Sequence, residues 1–414
     1  MKLITVRQRR NKMEHTHSYR PLCLSLYLNY FVHGIGVIIL AQNMDALAAR
    51  WGSIADVAWV ISMLGIGRLI VLFVSGKLSD KYGRKPFVLL GMVTYISFFV
   101  GILLSPTSLV ACIFGILAGV ANSFLDAGTY PALIESYPES ASTVTVLLKA
   151  FISAGQFLLP LFIGILVAMD AWYGWSFIVA AAILLINLPL MMKMSYPSMN
   201  PAEEAKEDGK DTAAALWMPK SKWYLEGICF VIYGYISQAT FYLISQWLTK
   251  YGAAVAQMSD MAARSLMSYY SVGSLCCVFF TAFVTKKGIR PITLLVAYTL
   301  ISTLSISALY FMPSATLAPI LSFIVGFSAA GGVMQLGLVM MTEMFPKGKG
   351  TMTGIFYTTG SIASFTIPVV TGYMADSGIN SIMGLDAAIA LAGFVIACII
   401  YVRYNSVMKE RPAA

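Results

Sequence analysis

Residues 76–86 read GKLSDKYGRKP, a short charged stretch set between two long apolar runs. Charges are scarce elsewhere in the chain, so their crowding here marks a boundary. Gly76 and Gly83 remove side chains where backbone must turn or helices must approach. Asp80 is an acceptor suited to a helix N-terminus or to an arginine fork. Lys77, Lys81, Arg84 and Lys85 supply the positive charge that holds a loop on the cytoplasmic face of a bilayer. The stretch therefore reads as a tight cytoplasmic turn between two membrane helices.

Composition supports that reading. Of 414 residues, 58% are hydrophobic and only 11% charged, and the mean hydropathy is +0.76. Soluble domains carry about 25% charged residues, so this chain needs an apolar solvent. A net charge of +9 could indicate nucleic acid, but a polyanion binder concentrates its charge on one folded face. Here the charge falls in loops, and no nucleic-acid partner is expected. The six cysteines lie in apolar segments without CxxC or metal-ligand spacing, which predicts neither disulfides nor a metal site. No HExxH, GxSxG or phosphate-loop motif is present, so neither an enzyme nor a cofactor-binding protein is indicated.

Apolar runs of helical length predict twelve spans: 21–46, 55–78, 87–104, 107–134, 143–168, 174–194, 224–248, 265–285, 291–311, 316–342, 352–375 and 380–403. An even number leaves both termini on one side. Of the 28 lysines and arginines, 24 fall on or near that side, and only Arg50, Lys250 and Arg264 fall on the other. The positive-inside rule then places both termini in the cytoplasm. The seven tryptophans lie near predicted span ends, where amphipathic rings prefer to sit. Residues 1–20 form a basic tail, within which Met13 is an alternative start, and the apolar run that follows is a retained first span. Residues 195–222 are too polar to bury a core and read as a cytoplasmic linker. They separate a bundle over 21–194 from one over 223–403, and 404–414 form a cytoplasmic tail.

The two halves repeat. Glu135-Ser-Tyr-Pro138 matches Glu343-Met-Phe-Pro346 at an offset of 208, as does Pro160…Gly164 with Pro368…Gly372. KYGRKPFVLL (81–90) matches KKGIRPITLL (286–295) at an offset of 205, with Thr285 in place of Asp80 and Ile289 in place of Arg84. Together these landmarks predict an all-α membrane protein of twelve helices in two pseudo-symmetric six-helix bundles.

The pattern G-x-L-x-D-x-x-G-R-K over Gly76–Lys85 resembles the signature loop between helices 2 and 3 of major facilitator superfamily transporters. The stretches YLNYFVHGIGV (27–37), LAGVANSFLDAGTYPALIE (117–135), KAFISAGQFLLPL (149–161) and IVGFSAAGGVMQLGL (324–338) resemble a narrower group within it. That group is the YdiM/YdiN-like transport proteins of the bacterial inner membrane. The resemblance implies alternating access around a central site between the halves, with spans 1, 2, 4 and 5 facing it. It also implies a conformational latch of Gly76, Asp80, Gly83, Arg84, Lys85 and Glu135, with Asp80 facing the start of span 11 near 351–354. Two departures from drug antiporters stand out: Gly115 occupies the usual arginine position of span 4, and Pro160 follows Leu159 rather than glycine.

Charge inside a bilayer is costly and marks candidate function. Arg68 lies about 16 Å into span 2, Asp126 about 14 Å into span 4 and His33 about 18 Å into span 1. Lys149 is about two turns into span 5. All four are in the first half, and no charge is placed mid-span in 3, 6, 9 or 12. Arg68 and Lys149 are read as holding an anion while Asp126 or His33 exchanges a proton; a structural Arg68–Asp126 pair and a merely hydrogen-bonded His33 are the alternatives. Asn29, Asn122, Gln156, Gln238, Gln246 and Gln335 offer neutral hydrogen bonds, and Tyr30, Tyr130, Tyr233, Tyr235 and Tyr357 offer aromatic walls or core packing. The expected function is a secondary transporter, proton-coupled for uptake of a small organic anion. A proton-coupled exporter of drugs or metabolites, or a non-transporting sensor, is the alternative. The partners expected are the bilayer, a small solute and the proton as coupling ion, with the chain a monomer.

Overall fold

A computed structural model describes residues 19–137, 141–197, 221–330, 333–345 and 349–408. The basic tail up to residue 18, most of the linker (198–220) and residues 409–414 lie outside the described residues.

The turn at 76–86 shows how tightly this sequence connects its helices. A single residue, Gly83, separates the helix Ile54–Tyr82 from Arg84–Leu104, and its φ of +95° lies where a side chain would be strained. Other helix starts carry side-chain caps: Ser53 Oγ accepts from the Asp56 amide and Thr107 Oγ1 from the Val110 amide.

In chain order the long helices are α1 (Arg20–Gln42), α2 (Ile54–Tyr82), α3 (Arg84–Leu104), α4 (Ser108–Ser136), α5 (Ala141–Ala168) and α6 (Trp175–Lys193). The second half continues with α7 (Ile228–Ala254), α8 (Asp260–Lys286), α9 (Pro291–Phe311), α10 (Leu317–Val325, a π-turn over Gly326–Ala330, then Val333–Met344), α11 (Lys349–Met374) and α12 (Ile379–Met408). A short helix, Met44–Trp51, follows α1, and no strand occurs among the described residues. Eleven of these segments are long and apolar enough to cross a bilayer; α11, rich in Gly, Ser and Thr, is not among them. It packs between α2 and α7.

Packing repeats between halves. In the first, α1 packs on α5 and α6, α2 on α4, and α3 on α4 and α6; each pairing recurs six helices later. The halves meet along α2–α11 and α5–α8, two contacts that the same six-helix shift exchanges. Lipid gives apolar faces no reason to associate, so close backbone approach holds the crossings. A Cβ on Gly67 would sit 2.0 Å from Ile116 O, and one on Gly119 2.0 Å from Leu64 O. The equivalent α8–α10 crossing uses Gly273 and Gly326, whose Cβ atoms would fall 2.1 Å from Phe323 O and 1.9 Å from Tyr270 O. Large apolar side chains such as Leu104, Leu109, Ile186 and Phe311 are exposed on the outside, where acyl chains would cover them.

At the end away from the termini the halves are clasped. Lys250 pairs with Asp45, and Gln42 Nε2 donates to Thr249 Oγ1 at 3.0 Å. Arg264 Nη1 donates to Gln42 O at 2.7 Å, and Trp59 Nε1 donates to Tyr373 OH at 3.1 Å. At the termini end, a Cβ on Gly76 or Gly354 would meet nothing within 4 Å. The expected consequence is that Lys250→Gln with Gln42→Ala loosens the clasp by about 1 kcal/mol, roughly a fivefold population change. Labelling of a cysteine at Ser361, in a background without native cysteines, by an impermeant reagent from the clasped side measures it; unchanged labelling would refute the clasp.

Three sequence-based expectations change here. Trp247 is not an interface ring: it is fully buried and its Nε1 donates to Thr371 Oγ1 at 2.9 Å, because α7 runs seven residues past it. The last helix extends to Met408, five residues past the predicted span end at 403; Tyr404 anchors that turn by donating to Glu343 Oε2 at 2.6 Å. Gly76 has open space around it, so close approach does not explain it in this conformation.

Candidate functional site

The α2–α4 crossing at Gly67 and Gly119 sets the site, because it brings the next residue on α2, Arg68, opposite Asp126 on α4. Arg68 Nη2 lies 3.5 Å from Asp126 Oδ2. Tyr30 of α1 donates to Asp126 Oδ1 at 2.6 Å. Its ring stands 5.4 Å from that of His33 and edge-on to Tyr130 at 5.7 Å. His33 is buried, with Nδ1 2.6 Å from Tyr95 OH of α3. From the second half, the Tyr357 ring of α11 lies 5.9 Å from Arg68 Cζ, a cation–π distance.

Arg68 is only half used by this arrangement. Its buried Nε has no hydrogen-bond partner among the described residues. Lys149 of α5 has no ion-pair partner among them either. Of the sequence-predicted residues, Arg68 and Asp126 thus meet directly, His33 stands beside them through Tyr30, and Lys149 lies within electrostatic range of His33, a set drawn from α1, α2, α4 and α5. It carries two cations against one carboxylate when His33 is neutral. Such a group can hold an anion on the free guanidinium edge and the ammonium, and can pass a proton at Asp126 or His33.

The neutral candidates divide. Asn122 and Gln156 are buried on α4 and α5, and no hydrogen bond joins them to this group among the described residues. Gln238 is half-buried beside Gly360 of α11, whereas Gln335 is exposed on α10, and no hydrogen bond joins it to this group among the described residues. Asn29 is taken by structure: Asn187 Nδ2 donates to its Oδ1 at 2.8 Å and to Ser25 O at 2.9 Å, tying α6 to α1. Gln246 is buried with neither amide atom partnered among the described residues. Tyr235 shares a 2.8 Å hydrogen bond with Thr366, and Tyr233 is buried in the second half.

The 76–86 loop builds a separate polar knot at the termini end. Arg84 Nε and Nη2 donate to Glu135 Oε1 at 3.0 and 2.8 Å, and Nη1 reaches Ser79 Oγ at 3.2 Å and Asp80 Oδ1. Lys85 does not join it; Nζ caps α6 through Met192 O at 2.7 Å and Met194 O at 3.0 Å. The second half lost the equivalent Asp and Arg and uses other residues. Glu226, almost fully buried, accepts from Arg403 Nε at 2.8 Å and from the Lys222 amide at 2.8 Å.

One expectation is overturned. Charge is not confined to the first half, nor absent from α12: Asp386 lies seven residues into that helix and is 0% exposed. The signal was available, since it stands in the apolar run SIMGLDAAIALAG and the rule that found Asp126 applies equally. Tyr30 and Tyr95 as partners of Asp126 and His33, and Asn187 and Glu226 as structural anchors, were likewise not singled out for those roles.

Two repeated six-helix halves, meeting along α2–α11 and α5–α8 around a charged seam, define a membrane transporter rather than an enzyme. The Major Facilitator Superfamily model matches residues 26–334 and 227–414, and the chain belongs to that family. It is 47% identical over 386 residues to the inner membrane transport protein YdiM of Escherichia coli, covering 93% of this chain and 95% of that one. It is 37% identical to YdiN of the same organism, over 93% of this chain and 90% of the other. The fold matches the crystal structure of a D-xylose-proton symporter with a TM-score of 0.68, at 14% identity, over 95% of this chain and 98% of that one. The protein is accordingly a multi-pass inner-membrane transporter.

Proposed function

We propose that the protein takes up a small organic anion together with a proton, by alternating access, with both termini in the cytoplasm. The observation that carries this reading is the seam itself. Arg68, with a free buried Nε, and Lys149, without an ion-pair partner among the described residues, exceed Asp126 by one positive charge. A low-dielectric cleft with that surplus attracts a carboxylate. Tyr30 on Asp126 and Tyr95 on His33 give each protonatable group a hydroxyl through which a proton can pass.

The lysine and arginine distribution supports cytoplasmic termini, which puts the clasped end on the periplasmic side. Entry of one anion with one proton adds no net charge to the seam. The membrane potential acts on moved charge at about 2.3 kcal/mol per charge per 100 mV, so such a cycle is driven by the pH gradient alone.

Uptake of hydroxylated carboxylic acids into proteoliposomes, with an imposed inward proton gradient, tests the proposal. Uptake is expected for at least one acid, to collapse with a protonophore, and to be lost in Arg68→Gln. Uptake indifferent to the gradient, or a preference for cationic solutes, would overturn it. Loss of preloaded solute driven by an inward proton gradient would instead support the exporter reading.

A further inference from the structure

A second buried acid lies well away from this seam. Asp386 is on α12, which packs on α9 and α7 within the second half. It is 0% exposed, and neither carboxyl oxygen has a hydrogen-bond partner among the described residues. The Thr240 hydroxyl approaches it from α7, and Tyr270 of α8, also fully buried with an unpartnered hydroxyl, lies within electrostatic reach.

Among the described residues, counter-charge is missing on every side. No charged residue occurs in α9 (Pro291–Phe311), whose Tyr310 ring packs at Gly384. The one charged residue of α7, Lys250, is held by Asp45, and Arg264 of α8 by Asp260 and Gln42. Asp376, on the turn before α12, is exposed. On α12 itself Arg403 is 17 residues away, about 25 Å along the helix, and bound to Glu226.

An ionised carboxylate with no counter-ion, and with only the Thr240 hydroxyl near it, is among the costliest groups to bury. The protonated acid is the form this surrounding can hold, and its O–H can donate to Thr240. One turn along the same face of α12, Ala390 lines a cavity of about 30 Å³. Its other walls include Tyr233, Ser237, Thr240, Thr299, Ser302 and Ser328, a hydroxyl-rich set roomy enough for a water molecule.

We propose that Asp386 is a proton-binding site of the second half, exchanging its proton with water through the hydroxyl-lined cavity beside Thr240. It is separate from Asp126 and does not depend on the solute assigned above.

Infrared spectroscopy of the full chain in lipid vesicles tests this. Expected at neutral pH is the C=O stretch of a protonated carboxylic acid that is absent in Asp386→Asn but retained in Asp126→Asn. It should shift in D2O and disappear reversibly as pH is raised, with helix content unchanged, and Thr240→Val should move its frequency. If Asp386→Asn does not fold, the wild type still reports. Carbodiimide, which modifies protonated buried carboxyls, should label Asp386 in peptide mass spectra, and the labelling should fade with rising pH. No such band and no labelling would overturn the site, as would a band that neither exchanges in D2O nor titrates. Loss of the band on adding sodium at constant pH would overturn the proton assignment in favour of a metal cation. None of these readouts requires uptake, so failure of the anion reading leaves them unaffected.

Discussion

Replacing Arg68 or Asp126 alone should destabilise the protein more than replacing both. Each single change strands a charge in the seam, whereas Arg68→Gln with Asp126→Asn leaves two neutral groups that can hydrogen-bond. Removing one partner of a fully buried pair costs about 3–5 kcal/mol. These side chains retain 20% and 21% exposure, so water in the cleft screens part of that, and about 2–3 kcal/mol is expected for each single. Asp126→Asn should be the milder of the two, because Tyr30 can still bond the amide and Tyr357 still faces the guanidinium. Thermal unfolding of the four proteins in one detergent measures it. A double variant no more stable than the worse single would show that the two charges do not act as a pair.

Arg84→Gln should be at least as damaging. Its side chain is only 4% exposed and satisfies Glu135, Ser79 and Asp80 together. Removing it leaves Glu135, 21% exposed at the side chain, without its cation, at a cost of about 3 kcal/mol. Asp80 is different. At 66% exposure its pair with Arg84 is worth about 1 kcal/mol or less, so Asp80→Asn should barely change stability. Its effect should fall on conformation, raising cysteine labelling of cavity positions at the termini end while membrane insertion is unchanged. Arg84→Gln as stable as wild type would mean the knot is incidental. Equal destabilisation by Asp80→Asn would mean that exposure does not rank these contacts.

Much of the architecture follows from local pattern. Apolar runs of helical length, basic loops and the duplicated landmarks at offsets near 208 define twelve helices and two halves, because a bilayer leaves the backbone few options. The same constraint makes each intramembrane charge conspicuous, which is why Arg68, Asp126, His33 and Lys149 could be named in advance.

What sequence alone could not decide is which charges meet and which polar groups are already engaged. Asn29 reads as a neutral hydrogen-bonding candidate and Asn187 was not singled out, yet 158 positions apart they close on one another and tie α6 to α1. Gln335 had the right residue type but an exposed position with no hydrogen bond to the cluster among the described residues. Arg68 and Asp126 pair because Gly67 and Gly119 let two backbones touch, and glycines do not announce their partners. Chain order determined the helices and their repeat; side-chain roles came only from packing, since a hydrogen bond depends on a distance that separation in sequence does not set.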